Sequence, residues 1–384
     1  MKIRYFDHAA TTAVKEEVLK EMIPYCSIEF GNPSSIYSIG RRNRRAVEEA
    51  REKVANCIGA TPKEIYFTSC GSESDNLAIK GIVYANKQKG NHIITSKIEH
   101  PAVLNTCKEL ENEGFNVTYL NVNKSGIINL SELENSIKDT TVLISIMFAN
   151  NEIGTIQPIQ EIGEIAKRNN IIFHTDAVQA VGNVKIDVDE LNIDALSMSA
   201  HKFYGPKGVG ALYIRSNIDF KSIQDGGHQE RGKRAGTENV SGIIGLGKAI
   251  ELAYKDFEKY NIKLAQLRNS YVSQIQENIS NIMINGNTEN RLPGNSNISF
   301  KDVDGEMLLL NLDEVGICAS TGSACTSGSS APSHVLVELG IPKDYMQGSL
   351  RVTFGNENTQ EDVDFLVENL IKIVEKLRKN KMEY

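Results

Sequence analysis

The chain has 384 residues, 40% of them hydrophobic and 24% charged; it is too long for one ordinary domain, and its composition is globular rather than disordered. Its 42 Lys and Arg stand against 49 Asp and Glu, a formal charge of −7, which excludes a broad nucleic-acid surface. No apolar run approaches the roughly 20 residues that span a bilayer, and residues 1–12 have no apolar core of the signal-peptide kind, so a cytoplasmic protein is expected.

The periodicity predicts a first helix over 44–58, with Val47, Ala50, Val54, Cys57 and Ile58 on one face. From about 64 to 214 short β-branched runs alternate with helical stretches. The strand candidates are 65–68, 92–96, 117–120, 142–147, 171–175, 195–199 and 210–215, with helices such as 72–86 and 158–169 between them. Several of these runs are nearly continuous in apolar residues, as strands buried on both faces are. The alternation argues for a mostly parallel sheet covered by helices. Ligands of such sheets sit beyond the carboxyl ends of the strands. Two long helices are predicted over 241–260 and 263–279, then strands over 296–300, 315–319 and 349–353. A terminal helix opens on a Thr-Gln-Glu-Asp capping pattern at 359–362, and its core face is Val363, Leu366, Leu370, Ile373 and Leu377. The domain boundary is placed near 255.

Six cysteines, at 26, 57, 70, 107, 318 and 325, show neither a CxxC nor a zinc spacing and read as reduced cytosolic thiols. Cys57 and Cys107 fall in helical patterns, where an inert buried thiol is usual. Residues 319–333 contain six Ser, two Gly and two Thr around Cys325. Such a segment gains little by packing and is expected to be mobile.

Chemistry is then sought after each strand. Ser-Ala-His-Lys-Phe-Tyr-Gly-Pro-Lys-Gly (199–208) carries Lys202, either a surface charge or a lysine that forms a Schiff base. Ser199 and His201 beside it can donate to a phosphate. His-Thr-Asp-Ala-Val-Gln (174–179) carries Asp176, either a helix cap or the partner of a protonated pyridine nitrogen. Gln179 follows one helical turn on. Thr-Ser-Cys-Gly-Ser-Glu-Ser-Asp-Asn (68–76) is an ordinary cap or, through Gly71 and Ser72, an anion site at a helix start. It matches neither GxxxxGK[ST] nor GxGxxG. His100 is structural, or stacks on a cofactor ring and moves protons. Asn150 and Asn151 offer amides after another strand. Cys325 is a bystander thiol or a nucleophile that swings into the site. Arg351 is an ordinary ion pair or a fork for a carboxylate. The basic residues at 231–234 read as a phosphate or subunit contact.

Together these motifs resemble the cysteine desulfurases of the nitrogen-fixation/iron–sulfur-cluster type. The resemblance runs from Tyr-Phe-Asp-His-Ala-Ala-Thr-Thr (5–12) and Phe-Gly-Asn-Pro-Ser-Ser (30–35) through the segments above and Arg-Ala-Gly-Thr-Glu-Asn (234–239). It ends at Thr-Gly-Ser-Ala-Cys-Thr-Ser-Gly (321–328). It implies an α/β pyridoxal 5'-phosphate enzyme of the aspartate-aminotransferase-like fold (fold type I). A mostly parallel seven-stranded sheet would lie in a large domain, 15–255. Residues 1–14 and 256–384 would form a smaller α+β domain carrying the cysteine loop. The activity implied is conversion of L-cysteine to L-alanine, with sulfur passed to Cys325 as a persulfide and then to an acceptor such as an iron–sulfur scaffold. Selenocysteine lyase and aminotransferase are the alternatives on the same fold.

The roles implied residue by residue are these. Lys202 holds the cofactor aldehyde, Asp176 partners the ring nitrogen, Gln179 the phenolic oxygen, and His100 stacks on the ring. Gly71, Ser72, Ser199 and His201 hold the phosphate, with Thr237 reaching over from the second subunit of a homodimer. Asn151 contacts the cofactor, Asn32 and Arg351 bind the substrate carboxylate, and Cys325 takes the sulfur. No metal, membrane or direct nucleic-acid partner is implied. Cys70 and Ser72 depart from the Gly and Thr of many members, and Ser72 keeps the hydroxyl.

Overall fold

The computed structural model describes residues 2–321 and 332–382. The chain opens on a short strand, β1 (Arg4–Tyr5), and two helices, α1 (Glu16–Ser27) and α2 (Ser38–Cys57). Strands and helices then alternate as β2 (Ile65–Thr68), α3 (Gly71–Ala85), β3 (His92–Ser96), α4 (Pro101–Asn112), β4 (Asn116–Leu120), α5 (Leu130–Ser136), β5 (Thr141–Ser145), α6 (Ile159–Arg168) and β6 (Ile172–Asp176). β7 (Ala195–Ser199) runs into a single 3-10 turn, Ala200–Lys202, before β8 (Gly210–Ile214). A broken turn, α7 (Gln229–Gly232), leads to α8 (Val240–Lys255) and α9 (Phe257–Asn278). The remaining elements are β9 (Ile282–Ile284), β10 (Asn295–Phe300), α10 (Gly305–Glu314), β11 (Ile317–Cys318), α11 (His334–Glu338), α12 (Lys343–Met346), β12 (Ser349–Thr353) and α13 (Gln360–Met382).

Among the described residues the large sheet has seven strands in the order β2-β8-β7-β6-β5-β3-β4. β8 runs antiparallel to both its neighbours and every other pairing is parallel. The mostly parallel sheet expected from the alternation is therefore present. Every residue of β3, β5, β7 and β8 is buried, because helices cover both faces. Six strands point their carboxyl ends to one edge, and β2, β3, β5, β6 and β7 each deliver a polar segment there.

Two separate cores support this sheet, one on each face. One joins α2 and α8 to residues such as Ile144, Phe173 and Leu196, and the other joins α3 and α4 to residues such as Ile93 and Leu212. A further core packs Phe6 with Leu264, Tyr271, Ile298, Leu350, Leu366 and Leu370, over the antiparallel β12-β10-β9 sheet. A small apolar cluster bridges the strand ends Ile98 and Met147 to Val335 and Leu336 of α11. The predicted terminal helix forms. Its cap is reciprocal: the Thr359 amide donates to Asp362 Oδ2 at 3.1 Å, and the Asp362 amide to Thr359 Oγ1 at 3.3 Å.

The long helices divide at Asp256, not near 261 as the sequence pattern suggests. The bend falls where the chain leaves one core and enters another: Tyr254 packs on the first and Tyr260 on the second. The strand predicted over 142–147 stops at Ser145, although Ile146 and Met147 are also buried. An apolar run cannot tell a strand from a buried segment that follows it.

Candidate active site

β6 and β7 are parallel neighbours, with Asp176 paired to Ser197. Asp176 therefore ends one strand and Lys202 follows the end of the next. The 3-10 turn swings the Lys202 amine to the N-terminal segment, where it donates to the carbonyls of Ala9 at 2.5 Å and Ala10 at 2.8 Å. Gln179 Nε2 donates to the same Ala9 carbonyl at 2.9 Å. Gly208 holds a φ of +78° in the return to β8, a conformation that glycine adopts without steric cost.

Asp176 is 6% exposed, and its Oδ1 accepts from the Val178 amide at 2.9 Å. Burial raises its pKa above the ordinary carboxylate value, and His100, the Val178 amide and Lys202 pull it part of the way back. Beneath it lies a layer of uncharged polar groups. His174 is fully buried, with Nδ1 against Ser145 Oγ at 2.9 Å and Nε2 against Ser197 Oγ at 3.0 Å. Burial pushes its pKa down to about 3, so the ring is neutral. Asp75 of α3 lies 3.7 Å from His174 Nε2, and burial with the nearby Asp176 charge raises it far above the carboxylate range. Glu99 is pushed up to about 8 by burial, against bonds from Ser96 Oγ (2.5 Å) and the Met147 amide (3.0 Å).

His100 caps α4. Its Nδ1 accepts from the Ala102 amide at 3.1 Å, which places any ring proton on Nε2. Burial lowers its pKa, Asp176 raises it, and Lys202 and His334 lower it. His201 Nδ1 meets Thr11 Oγ1 at 3.1 Å, and burial with the nearby lysine charges takes the ring to about 4. Ser199 Oγ is buried and has no hydrogen-bond partner among the described residues. Gly71 opens α3, whose first N–H groups lack intrahelical acceptors. A Cβ at Gly71 would meet Val178 Cγ2 at 2.6 Å, so a larger residue would push the helix start away from the strand edge.

Arg351 reaches the site from β12. Its Nη1 donates to the Asn151 carbonyl at 3.0 Å and its Nη2 to Asp7 Oδ1 at 2.7 Å. A cavity of about 140 Å³ is lined by Lys202 and Gln179 together with His8, Lys15, Tyr204 and Tyr260. Asp176, His100 and Ser199 are not in its lining, so the strand edge, not this cavity, carries the polar cluster.

The structure thus gathers Lys202, Asp176, Gln179, His100, His201, Ser199 and the start of α3 at one edge. Asn32 and Thr237 are exposed, and among the described residues no hydrogen bond joins them to this cluster. The Asn32 Oδ1 accepts locally, from the Ser34 amide at 2.8 Å. Cys325 lies outside the described residues, as does most of the 319–333 segment. The basic residues at 231–234 also make contacts within their own chain. Arg234 pairs with Glu73 at 2.7 Å, and Arg231 donates to the Ile65 carbonyl at 2.6 Å and lies over the Tyr66 ring. Sequence reasoning gave no role to Asp7, Ala9, Asp75, Glu99 or His334. Each has a partner far along the chain, Met147 in the case of Glu99, and no local spacing marks these contacts.

The residues fit pyridoxal phosphate. A buried carboxyl raised by desolvation faces an unfilled need for a cation, which a protonated ring nitrogen meets. An unpartnered buried hydroxyl, two histidines whose burial disfavours the charged ring, and a helix start are groups of the kind that a phosphate and a ring call for. A pyridoxal-phosphate enzyme is the class this fold and edge define. The chain belongs to the class-V aminotransferase family, whose pattern matches residues 4–366.

Its similarities to individual proteins are close. The cysteine desulfurase IscS of Clostridium botulinum (strain Hall) is 56% identical over 376 residues, 97% of this chain and 95% of the relative. That of Methanosarcina thermophila is 56% identical over 377 residues, 98% and 93% of the two chains. A solved NifS-like protein superposes with a TM-score of 0.92 at 38% identity, covering 98% of this chain and 100% of the other. The structure of SspA in complex with cysteine matches with a TM-score of 0.82 at 41% identity, covering 91% and 98%.

Proposed function

We propose that this chain is a pyridoxal-phosphate-dependent cysteine desulfurase, which converts L-cysteine to L-alanine and takes the sulfur onto Cys325. The observation that carries this reading is the 56% identity, across nearly the whole of both chains, to proteins named as cysteine desulfurases. Pyridoxal phosphate supplies an aldehyde that condenses with amines and a ring that accepts electron density from the adjoining carbon. Lys202, Asp176, Gln179 and His100 would hold its aldehyde and ring. Gly71, Ser72, Ser199 and His201, with Thr237 of a second copy, would hold its phosphate. Asn151 would also contact the cofactor.

The roles of this chain's residues follow from their chemistry. Arg351, with Asn32, holds the substrate carboxylate. The Lys202 amine takes and returns the proton at the substrate α-carbon. The Cys325 thiolate attacks the substrate sulfur: the Cβ–S bond breaks, an S–S bond forms, and the carbon takes a proton to become the methyl of alanine. A persulfide keeps the sulfur bound for a protein acceptor, an iron–sulfur cluster scaffold by analogy with the relatives.

The same proposal includes a cytoplasmic homodimer. The support for the dimer is the set of exposed apolar side chains Ile28, Phe30, Ile36 and Tyr37, near one another in sequence, of which Ile36 is 87% exposed; such side chains grouped on a surface mark an interaction site. No helix among the described residues is long and apolar enough to cross a membrane. It also includes two domains, 15–255 against 1–14 with 256–384, supported by the separate core that unites Phe6 with residues from Leu264 onward.

The test is incubation of the pure protein with L-cysteine. Alanine and a mass gain of one sulfur atom on the peptide containing Cys325 are expected. Cys325→Ser should keep the cofactor colour and the spectral response to cysteine but form no alanine in turnover. Undiminished alanine from that variant refutes the persulfide step.

A further inference from the structure

Arg351 is 3% exposed, yet its nitrogens are unequally satisfied. Nη1 and Nη2 each have an acceptor, while Nε is shut from the surface and has no partner among the described residues. A guanidinium grips a carboxylate best with two parallel N–H bonds from one edge, and Nε with Nη2 forms such an edge. Asp7 takes the Nη2 half of that edge and leaves the Nε half empty.

The backbone explains this half-grip. Asp7 is bridged to Thr353, two residues beyond Arg351 on the same strand. The Thr353 amide donates to the Phe6 carbonyl at 2.7 Å, and the Ala9 amide to Thr353 Oγ1 at 3.0 Å. Tyr5 Oη lies 3.0 Å from the carbonyl oxygens of both Asp7 and Thr11, and its one proton is shared between them. The main chain is thus held at several points, and the carboxylate meets the fork with one oxygen only. The Asp7 side chain is still 18% exposed, so it has water to turn towards without moving its backbone.

We propose that Asp7 is a displaceable counter-ion for Arg351, which holds the buried guanidinium until a substrate α-carboxylate takes the Nε and Nη2 edge. The inference rests on Arg351 being the carboxylate site. The exchange is neutral in charge, since one carboxylate leaves as another arrives, and the buried arginine is never without an anion. Asp7 therefore sets how tightly any amino acid is held, and a ligand without a carboxylate has nothing with which to displace it. Asp7 is a specificity-setting residue rather than a catalytic one. It also stands two residues before Ala9, whose carbonyl accepts from both Lys202 and Gln179, so carboxylate exchange occurs on the segment that holds the lysine amine.

The probe is L-alanine, which carries the carboxylate and no thiol. Its dissociation constant is read from cofactor absorbance in the holoenzyme, with KM and kcat for L-cysteine beside it. Asp7→Asn should tighten L-alanine and lower KM by about tenfold, the equivalent of one charge-assisted hydrogen bond no longer competed for. Asp7→Ser carries the same expectation if the first variant folds poorly. Asp7→Glu keeps the anion and should stay within about twofold of wild type. Weaker or unchanged L-alanine binding in the neutral variants overturns the proposal, because a mere prop for the arginine gives that result. So does an equal gain in Asp7→Glu. Arg351→Ala separates the two layers: if it leaves L-alanine affinity unchanged, the assignment of Arg351 has failed, whereas weakened binding there with no gain in Asp7→Asn sinks only the role of Asp7.

Discussion

Glu230→Ala tests how the turn leading to Thr237 is held. Arg51 and Glu230 form a two-pronged ion pair, at 2.7 and 2.9 Å, with side chains 3% and 4% exposed. Glu230 Oε2 also accepts from the Phe67 amide at 2.9 Å, and Arg51 Nη1 donates to the Ile65 carbonyl at 2.7 Å. The pair thus ties the turn to α2 and β2 at once. Removing one partner of a buried pair costs about 3–5 kcal/mol, because the other charge is left buried. Two effects reduce that figure. Glu48, half-exposed, still lies 3.2 Å from Arg51. Glu230 and Arg231 hold φ of +43° and +59°, and relaxing such a left-handed residue returns roughly 1–2 kcal/mol. The net loss expected is about 2–3 kcal/mol. Urea midpoints of wild type, Glu230→Ala, Arg51→Ala and the double variant give the coupling. The double variant should lose far less than the sum of the single ones, and the singles should release cofactor more readily. A coupling energy under about 0.5 kcal/mol would show that the two residues act independently.

Two further expectations concern pH. The native His174 ring stays neutral down to about 3, whereas its ordinary value is 6.5. Below 6.5 the unfolded state therefore binds the extra proton, and stability falls as pH falls. The loss between pH 6.5 and 5 amounts to about 2 kcal/mol, and His174→Gln should flatten that slope in urea midpoints, an unchanged slope counting against it. His92, taken to about 4 by burial and then by Lys138, adds a loss of the same sign. Glu99 works in the opposite direction. Its native carboxyl keeps its proton up to about 8 against an ordinary 4.5, so stability falls as pH rises between those values. Glu99→Gln should remove this alkaline decline, and a variant that still loses stability between pH 5 and 8 as steeply as wild type would show that Glu99 is ionised in the fold.

The strand-end chemistry was legible because a parallel sheet imposes a rule on sequence. Each buried strand reads as a short apolar run, and whatever follows it faces the ligand edge. That rule singled out Lys202, Asp176, His100 and Gly71 as candidates, while the roles expected of them came from the resemblance. The rule is silent on partners. Asp7 meets Arg351 across 344 positions and Arg51 meets Glu230 across 179, and no periodicity links such residues. β10 shows a related limit. Its Asn295, Ser296, Asn297 and Ser299 are polar yet buried, so composition alone marks the strand poorly.

The floor of the site was hidden for a physical reason. Asp75 lies within α3, His174 within β6, Ser145 on β5 and Ser197 on β7, and each reads locally as an unremarkable polar residue. Only the packing of four elements turns them into one layer, and only full burial disfavours charge on both its acid and its imidazole. That resistance to charge matters to the chemistry. A charged group beneath Asp176 would shift its proton affinity directly. Burial disfavours charge on both Asp75 and His174, and the groups that favour the ionised form of Asp176 are those at the edge: His100, the Val178 amide and Lys202. The acid at the end of β6 is thereby left responsive to the ligand side of the sheet, in keeping with the role proposed for it as partner of a ring nitrogen.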